Sequence, residues 1–198
     1  IMCKEEDRLH DKYHKDSKKN LAKLIDFAVF PGLQGGPHDN TTAAKAVAFE
    51  EALQPDFKQY AKQIVKNAKA LEEEFLSLGL KLTTGGTDNH LLLIDMRPKG
   101  LTGKGKEVQH AMDEAGITLN KNTVPFDEAS PFNPSGLRLG TPAITTRGMK
   151  ESEMKVIAQS IAKVIDNYED TKTLAKIKAD IQELVKAFPI YPDLGILQ

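Results

Sequence analysis

Two adjacent glycines, Gly35 and Gly36, constrain the local fold of this chain more than any other feature. They lie in the segment FPGLQGGPH at residues 30–38, and glycine lets the backbone turn with its N–H groups unhindered. Asp39 follows shortly and is a good helix N-cap, so the segment predicts a turn that leads into a helix. The helix dipole would add positive potential at the same N–H groups, which makes the turn a candidate phosphate site. A plain turn is the alternative, and it is the commoner use of such a pair.

Arg138 is the central residue of a second segment, SPFNPSGLRLGTPA at residues 130–143. Its neighbours are apolar residues and glycines, and a guanidinium is seldom placed among them without a partner. A planar guanidinium fits a carboxylate, so Arg138 is a candidate carboxylate-binding residue, with a structural ion pair as the alternative. We expect Thr141 and Pro142 to form a turn that presents Arg138 and to take no direct part in chemistry.

The composition is that of an ordinary globular protein. The 198 residues are 40% hydrophobic and carry a formal net charge of −1, which allows one sizeable core or two small ones and gives no electrostatic reason to expect nucleic acid. The longest apolar run, residues 91–94, is too short to cross a membrane. Cys3 is the only cysteine, so an internal disulfide is excluded and a reducing, cytoplasmic location is expected.

The first part of the chain is predicted to be the end of a larger α/β domain. Residues 1–3 are typical of the end of a buried strand, and the polar residues 4–20 predict an exposed excursion. A helix is expected from near Asn20, and a second, slim helix at residues 41–53. The first helix is expected to turn four apolar side chains inward: Leu21, Leu24, Ile25 and Ala28.

The remainder predicts a long helix followed by a compact α+β domain. Apolar residues spaced by three and four indicate an amphipathic helix at residues 56–77 that stops at Gly79. Short strands are expected at 80–84, 91–96, 117–119 and 137–139, a helix at 103–115, and two closing helices on the same apolar spacing. The predicted domains are the end of the large domain at 1–54, a linking helix at 55–79, a small domain at 80–187 and a tail at 188–198.

Four unusual strings in this sequence together resemble one family, serine hydroxymethyltransferase. They are FPGLQGGPH at 30–38, GGTDNH at 85–90, NKNTVP at 120–125 and GLRLGTPA at 136–143. The resemblance implies an α/β fold type I enzyme that uses pyridoxal phosphate, with the end of its large domain followed by a small C-terminal α+β domain. It implies transfer of the hydroxymethyl group of serine to tetrahydrofolate, which leaves glycine, and a homodimer or higher oligomer.

The same resemblance implies roles for particular residues. Arg138 matches the arginine that binds the substrate carboxylate, and Gly35 and Gly36 match the loop that reaches the cofactor phosphate of the neighbouring subunit. Asn122 matches a residue of the folate site, with a turn residue as the alternative. Ser130, Pro131 and Phe132 match a loop that lines the folate site in that family. The alternative is that this loop only maintains the local shape of the chain.

The family's Schiff-base lysine would precede Ile1, so the resemblance implies that this chain is the C-terminal half and is inactive alone, or is completed by an N-terminal half. His14 and Lys15 stand in a fully polar stretch and are interpreted as a solvated loop. A non-catalytic dimerisation or binding module derived from the same fold is the alternative function. Another aminotransferase-like enzyme of this fold is a third, and the folate-side strings argue against it.

Three polar residues invite a metal interpretation: His38, Asp88 and His90. Their spacing matches no zinc motif, and carboxylate–histidine pairs in such strings usually hold loops together, so no metal site is predicted. His90 is expected to be a structural histidine with its hydrogen bonds satisfied, with a proton shuttle as the alternative. No catalytic side chain is assigned within these residues.

Overall fold

The computed structural model describes residues 7–13 and 15–192. The chain divides into two compact units, Ile1–Leu53 and Gln54–Gln198. The strand predicted at residues 1–3, the buried position expected for Cys3, and His14 lie outside the described residues, as do residues 193–198 of the predicted tail.

The described part of the first unit is helical. It contains α1 (His10–Tyr13), α2 (Leu21–Phe27), a wide π-type turn at Ala28–Leu33, and α3 (Asp39–Leu53). The predicted start of α2 is confirmed, because the side chain of Asn20 accepts a hydrogen bond from the backbone N–H of Lys23 at 3.0 Å.

The inward packing predicted for the apolar residues of α2 is wrong for the described residues: no residue of α2 or α3 is buried among them. Large apolar side chains on α3 stay exposed, with Phe49 at 69% and Leu53 at 76%. A helix buries an apolar face only against a second layer, and the short helices of this unit do not supply one within the described ranges.

In the described part of the second unit, four strands form one antiparallel sheet. The strands are β1 (Lys81–Leu82), β2 (Leu91–Asp95), β3 (Asn120–Asn122) and β4 (Gly136–Gly140), in the order β1-β2-β4-β3. With the helices around it, this sheet gives the chain an α/β composition with a small antiparallel sheet. The predicted strands at 91–96 and 137–139 are confirmed to within two residues at each end.

Helices cover one face of this sheet. They are α4 (Pro55–Ser77), α5 (Gly105–Glu114), α6 (Pro142–Thr146), α7 (Glu151–Asp166) and α8 (Thr171–Ala187). α4 and α5 contact the strands, α7 packs against both of them, and α8 packs against α5 and α7. The predicted long helix is confirmed, and Gly79 follows its end in the left-handed region at φ 74°.

Alternation along the strands separates a core face from an open face. Leu92 and Ile94 on β2 and Leu137 on β4 are buried on the core face, against Phe75 of α4 and the other apolar helix residues. Burial of each such side chain contributes roughly 1.5–3 kcal/mol. The intervening strand residues define the open face: Leu91, Leu93, Asp95, Asn120, Asn122, Gly136, Arg138 and Gly140.

Three local predictions are wrong. The strand expected at 117–119 lies instead at residues 120–122, which form β3. Its position is set by main-chain pairing with β4 and not by the hydrophobicity of its side chains. The strand expected at 80–84 is only two residues long, because Thr84 is in the left-handed region at φ 63°. Thr141 and Pro142 are not a turn: Pro142 begins α6, at the position where a helix tolerates proline.

Within the described ranges, no helix combines the length and the apolar character needed to cross a membrane.

Candidate active site

Arg138 lies near the middle of β4, on the open face. It is directly opposite Leu93 on β2 and Asn120 on β3. Its side chain is exposed and makes no hydrogen bond or ion pair with any residue that the structure describes. The structural ion pair considered from the sequence is therefore not found among those residues. A free guanidinium held on a sheet strand is able to bind an anion in a defined orientation.

Asn122 lies on the same face, two cross-strand positions away from Arg138. It is opposite Gly136, the residue two before Arg138 on β4. The side-chain Nδ2 of Asn122 donates to the backbone carbonyl of Thr123 at 2.7 Å, and the residue is half-buried. Its Oδ1 makes no hydrogen bond within the described residues, so this amide still offers an acceptor to a ligand.

Gly136 permits a close approach of the chain that follows β3. A Cβ at this position would lie 2.6 Å from Cγ1 of Val124 and 2.8 Å from the carbonyl oxygen of Asn122. Both distances are shorter than any ordinary contact, so only glycine fits here. The residue lets Val124, at the start of the loop at residues 123–135, pack closely over β4.

Asp127 holds this loop in shape by hydrogen bonds to other residues at its two ends. Its Oδ2 accepts hydrogen bonds from the backbone N–H of Ser135 at 2.9 Å and of Val124 at 3.4 Å, and its Oδ1 accepts from Ser135 Oγ at 2.6 Å and from the N–H of Ala129 at 3.1 Å. Burial alone would raise the pKa of the Asp127 carboxyl, but these hydrogen bonds outweigh it and the pKa is lowered. The carboxylate thus ties both ends of the loop together.

The three loop residues assigned to the folate site are exposed. Ser130 Oγ accepts a hydrogen bond from the backbone N–H of Phe132 at 3.2 Å, which shapes a tight turn around Pro131. The ring of Phe132 is 85% exposed. An exposed ring on a fastened loop offers a flat apolar surface to a planar ligand or to another chain.

Sequence reasoning missed the buried carboxylate beside this loop. Asp95 ends β2 with 3% exposure, and its two oxygens accept from Nε and Nη2 of Arg97 at 2.9 Å each. Lys81 on β1 adds an ion pair at 3.0 Å. The hydrogen bonds from Arg97 lower the pKa of Asp95 to about 2, against burial, and Lys81 assists. The available signal was an aspartate ending an apolar strand, followed two residues later by an arginine.

Gly35 and Gly36 lie in the first unit, between the π-type turn and α3. A Cβ at either glycine would meet no atom within 4 Å, and both residues are exposed. Their backbone N–H groups make no hydrogen bond within the described part of the chain. Unpaired N–H groups just before a helix start fit the oxygens of a phosphate.

The string GGTDNH has a structural explanation. Glu72 on α4 accepts from the backbone N–H of Thr87 at 2.8 Å, and a Cβ at Gly86 would lie 2.6 Å from its carboxylate. The ring of His90 is exposed and makes no hydrogen bond among the described residues, so the expectation of a satisfied structural histidine is wrong; its backbone carbonyl accepts from Thr141 N at 3.1 Å. No group of three metal-ligating side chains occurs in the described ranges.

An apolar cavity lies between the helices and the end of β4, where Leu139 and Gly140 line it. It measures about 330 Å³, and its lining includes residues 116–119 and residues of α6, α7 and α8. Arg138 and Asn122 do not line it. The candidate ligand-binding side chains therefore share a surface of the sheet and do not share this cavity.

The fold and the open face define a class: an α/β chain whose small antiparallel sheet presents a free arginine beside a fastened loop. The family model described as serine hydroxymethyltransferase matches residues 1–161, and the chain therefore belongs to that family. It is 54% identical over 175 residues to "Serine hydroxymethyltransferase" of Myxococcus xanthus (strain DK1622). That alignment covers 88% of this chain and 41% of the relative, so the chain spans about two fifths of its length. The resemblance stated from the sequence is confirmed.

Proposed function

We propose that the whole protein is a pyridoxal-phosphate-dependent serine hydroxymethyltransferase that interconverts serine and glycine, with tetrahydrofolate as the one-carbon acceptor. Family membership supports the reaction. The single observation that carries the proposal is the exposed guanidinium of Arg138, which has no partner within the described residues although it lies on a sheet strand. Such an arrangement suits a small carboxylate, and serine and glycine each carry one.

Arg138 acts by binding and orienting the amino acid. Its planar fork can hold both carboxylate oxygens at once, which fixes the direction of the bonds at the α-carbon. Asn120, directly opposite Arg138, is exposed on the same face. The sheet gives Arg138 a rigid backbone, so little conformational freedom is lost when the substrate binds.

Gly35 and Gly36 bind the cofactor phosphate. Their unpaired N–H groups fit that role, and the family resemblance directs the loop to the cofactor of a neighbouring subunit. The active enzyme is then a homodimer or a higher oligomer. When bound, pyridoxal phosphate withdraws electrons from the α-carbon of the amino acid, which this chain's own side chains cannot do. A cytoplasmic location is also proposed, and the presence of one cysteine among these 198 residues is consistent with it.

Asn122 and the loop residues Ser130, Pro131 and Phe132 form the folate side of the site. The free Oδ1 of Asn122 can accept a hydrogen bond from an N–H group of the pterin ring. Phe132 supplies an exposed ring beside it. These side chains bind and orient tetrahydrofolate, and no proton transfer is assigned to them.

The domain assignment is part of the proposal. Residues 1–54 are the end of the cofactor-binding domain, 55–79 the linking helix, 80–187 the small domain and 188–198 the tail. The Schiff-base lysine of the family is expected outside this sequence, so residues 1–198 alone are inactive.

The test is a serine-to-glycine assay on the full-length protein, with and without tetrahydrofolate. We expect glycine release that depends on both pyridoxal phosphate and tetrahydrofolate. Residues 1–198 expressed alone should release no glycine, and borohydride should fix no cofactor to any of their lysines. Cofactor-dependent glycine release that ignores tetrahydrofolate would identify a different enzyme of this fold. Cofactor-free binding of a partner chain, without activity, would identify a non-catalytic module.

A further inference from the structure

Arg97 connects the end of β2 to the loop at residues 123–135. While Nε and Nη2 bind Asp95, Nη1 donates to the backbone carbonyl of Phe126 at 3.0 Å and Nη2 also donates to that of Pro125 at 3.3 Å. The backbone N–H of Arg97 donates to Asp95 Oδ1 at 3.1 Å. One side chain therefore holds two consecutive loop carbonyls, while a buried carboxylate fixes its own position.

The loop needs this support at Phe126. Phe126 is in the left-handed region at φ 55°, which costs a bulky residue about 1 kcal/mol or more. Its ring is 96% exposed, so side-chain packing does little to compensate. The hydrogen bond from Arg97 to the carbonyl of Phe126 is a contact that favours this conformation directly.

The geometry relates Arg97 to the residues of the proposed folate side. Asn122 precedes the loop on β3, and Phe132 lies within it. Asp127 ties the loop's ends to each other, whereas Arg97 ties its first half to the neighbouring strand β2. The second half is held separately, since Asn133 accepts a hydrogen bond from the backbone N–H of Lys106 and donates one to Glu107. Loss of Asp127 would open the loop, and loss of Arg97 would release its first half, next to Asn122.

We propose that Arg97 is a positioning residue for the folate substrate: it holds the first half of the loop at residues 123–135 in place, so that Asn122 next to it can contact the planar ring system. Arg97 touches no reacting atom and acts through the loop. The inference rests on the proposed function, since it presumes that this face receives tetrahydrofolate.

The experiment compares Arg97→Lys and Arg97→Gln with the wild type in the full-length holoenzyme. Lysine keeps a charge beside Asp95 but cannot also bridge two carbonyls, so it separates loop positioning from the stability of the buried carboxylate. We expect KM for tetrahydrofolate to rise about tenfold in both variants, the effect of losing one or two charge-assisted hydrogen bonds. KM for serine and kcat should stay within about twofold of the wild type, because Arg138 is untouched.

Arg147→Gln is the matched control. Nη1 of Arg147 also donates to a backbone carbonyl, that of Phe188 at 3.0 Å, but its target is the chain after α8. This variant should leave KM for tetrahydrofolate unchanged. Equal rises in KM for both substrates, a fall in kcat alone, or an unchanged KM for tetrahydrofolate in Arg97→Lys would each overturn the inference. A wild-type protein without folate-dependent activity would instead refute the proposed function.

Discussion

Asn122 and Arg138 lie on the same face of the antiparallel sheet, on neighbouring strands, with Gly136 as the link between them. Asn122 is directly opposite Gly136, and Arg138 is two residues further along β4. Side chains two residues apart on a strand point to the same side, so the register alone brings the proposed carboxylate-binding and folate-binding residues together. A register shift of one residue would turn Arg138 into the core.

We predict that Arg138→Lys raises KM for serine roughly ten- to a hundredfold in the full-length enzyme, because a lysine cannot hold both carboxylate oxygens in one plane. The free energy of unfolding should change by no more than about 0.5 kcal/mol, as at other exposed positions. Steady-state kinetics and urea unfolding measure the two effects. Arg147→Lys is the control, and an equal loss in that variant would contradict a role in substrate binding.

Gly136→Ala should lower the free energy of unfolding by about 1–3 kcal/mol, the usual cost of overpacking a tight site. The added Cβ would meet Val124 at 2.6 Å and displace the loop at residues 123–135. Gly140→Ala on the same strand is the comparison, since its closest contact, the carbonyl of His90, is at 3.1 Å. Urea unfolding of both variants decides the point: similar losses would show that any alanine weakens β4.

Asp95 makes stability depend on pH in the acid range. Its pKa in the folded protein, about 2, lies below the ordinary value of 3.8, so the ionised form stabilises the fold above about pH 4. That contribution, on the order of 2 kcal/mol, should disappear as pH falls through the folded-state pKa. Urea unfolding from pH 7 to pH 2 should show a shallower acid decline in Asp95→Asn. Asp88→Asn, which removes an exposed carboxylate, is measured beside it as the comparison, and an unchanged curve in Asp95→Asn would contradict the assignment.

Asn67→Ala should destabilise the protein by about 2–4 kcal/mol, because it breaks a fully buried hydrogen-bond network. Nδ2 of Asn67 on α4 donates to Thr145 Oγ1 at 2.9 Å and to the carbonyl of Met149 at 3.0 Å, and both buried acceptors would lose this donor. Thermal unfolding measures the loss. Gln63→Ala removes a half-buried donor to the same asparagine and should cost less than half as much.

The 198-residue chain expressed alone should self-associate through α3. Val47, Phe49 and Leu53 are all exposed on this helix, and Phe49 and Leu53, four residues apart, lie on the same face. Exposed large apolar side chains favour association in water. Replacement of all three by glutamine should give a monomer in sedimentation experiments. The same three changes at the exposed polar positions Lys45, Glu50 and Glu51 serve as the control, and a wild-type monomer at high concentration would refute the prediction.

Much of the helical framework could be predicted from the sequence. The apolar spacing in residues 56–77 predicts α4, and Gly79 and Gly116 mark helix ends by their left-handed backbone, at φ 74° and 78°. Apolar spacing and glycine conformation depend on a few consecutive residues, so helices and their ends can be predicted without knowledge of the fold. Arg138 and Asn122 could be proposed as ligand-binding residues for the same reason, because each stands in a short string that resembles the family's sequence.

Only the tertiary structure decided how those residues combine. Asn120 and Asn122 have low strand propensity, and they form β3 because β4 offers them hydrogen-bonding partners. Asp95 is buried by the fold, and Arg97 donates hydrogen bonds to carbonyls about thirty residues away, at Pro125 and Phe126. Pairing, burial and long-range hydrogen bonds depend on residues far apart in the chain, and a local pattern does not contain them.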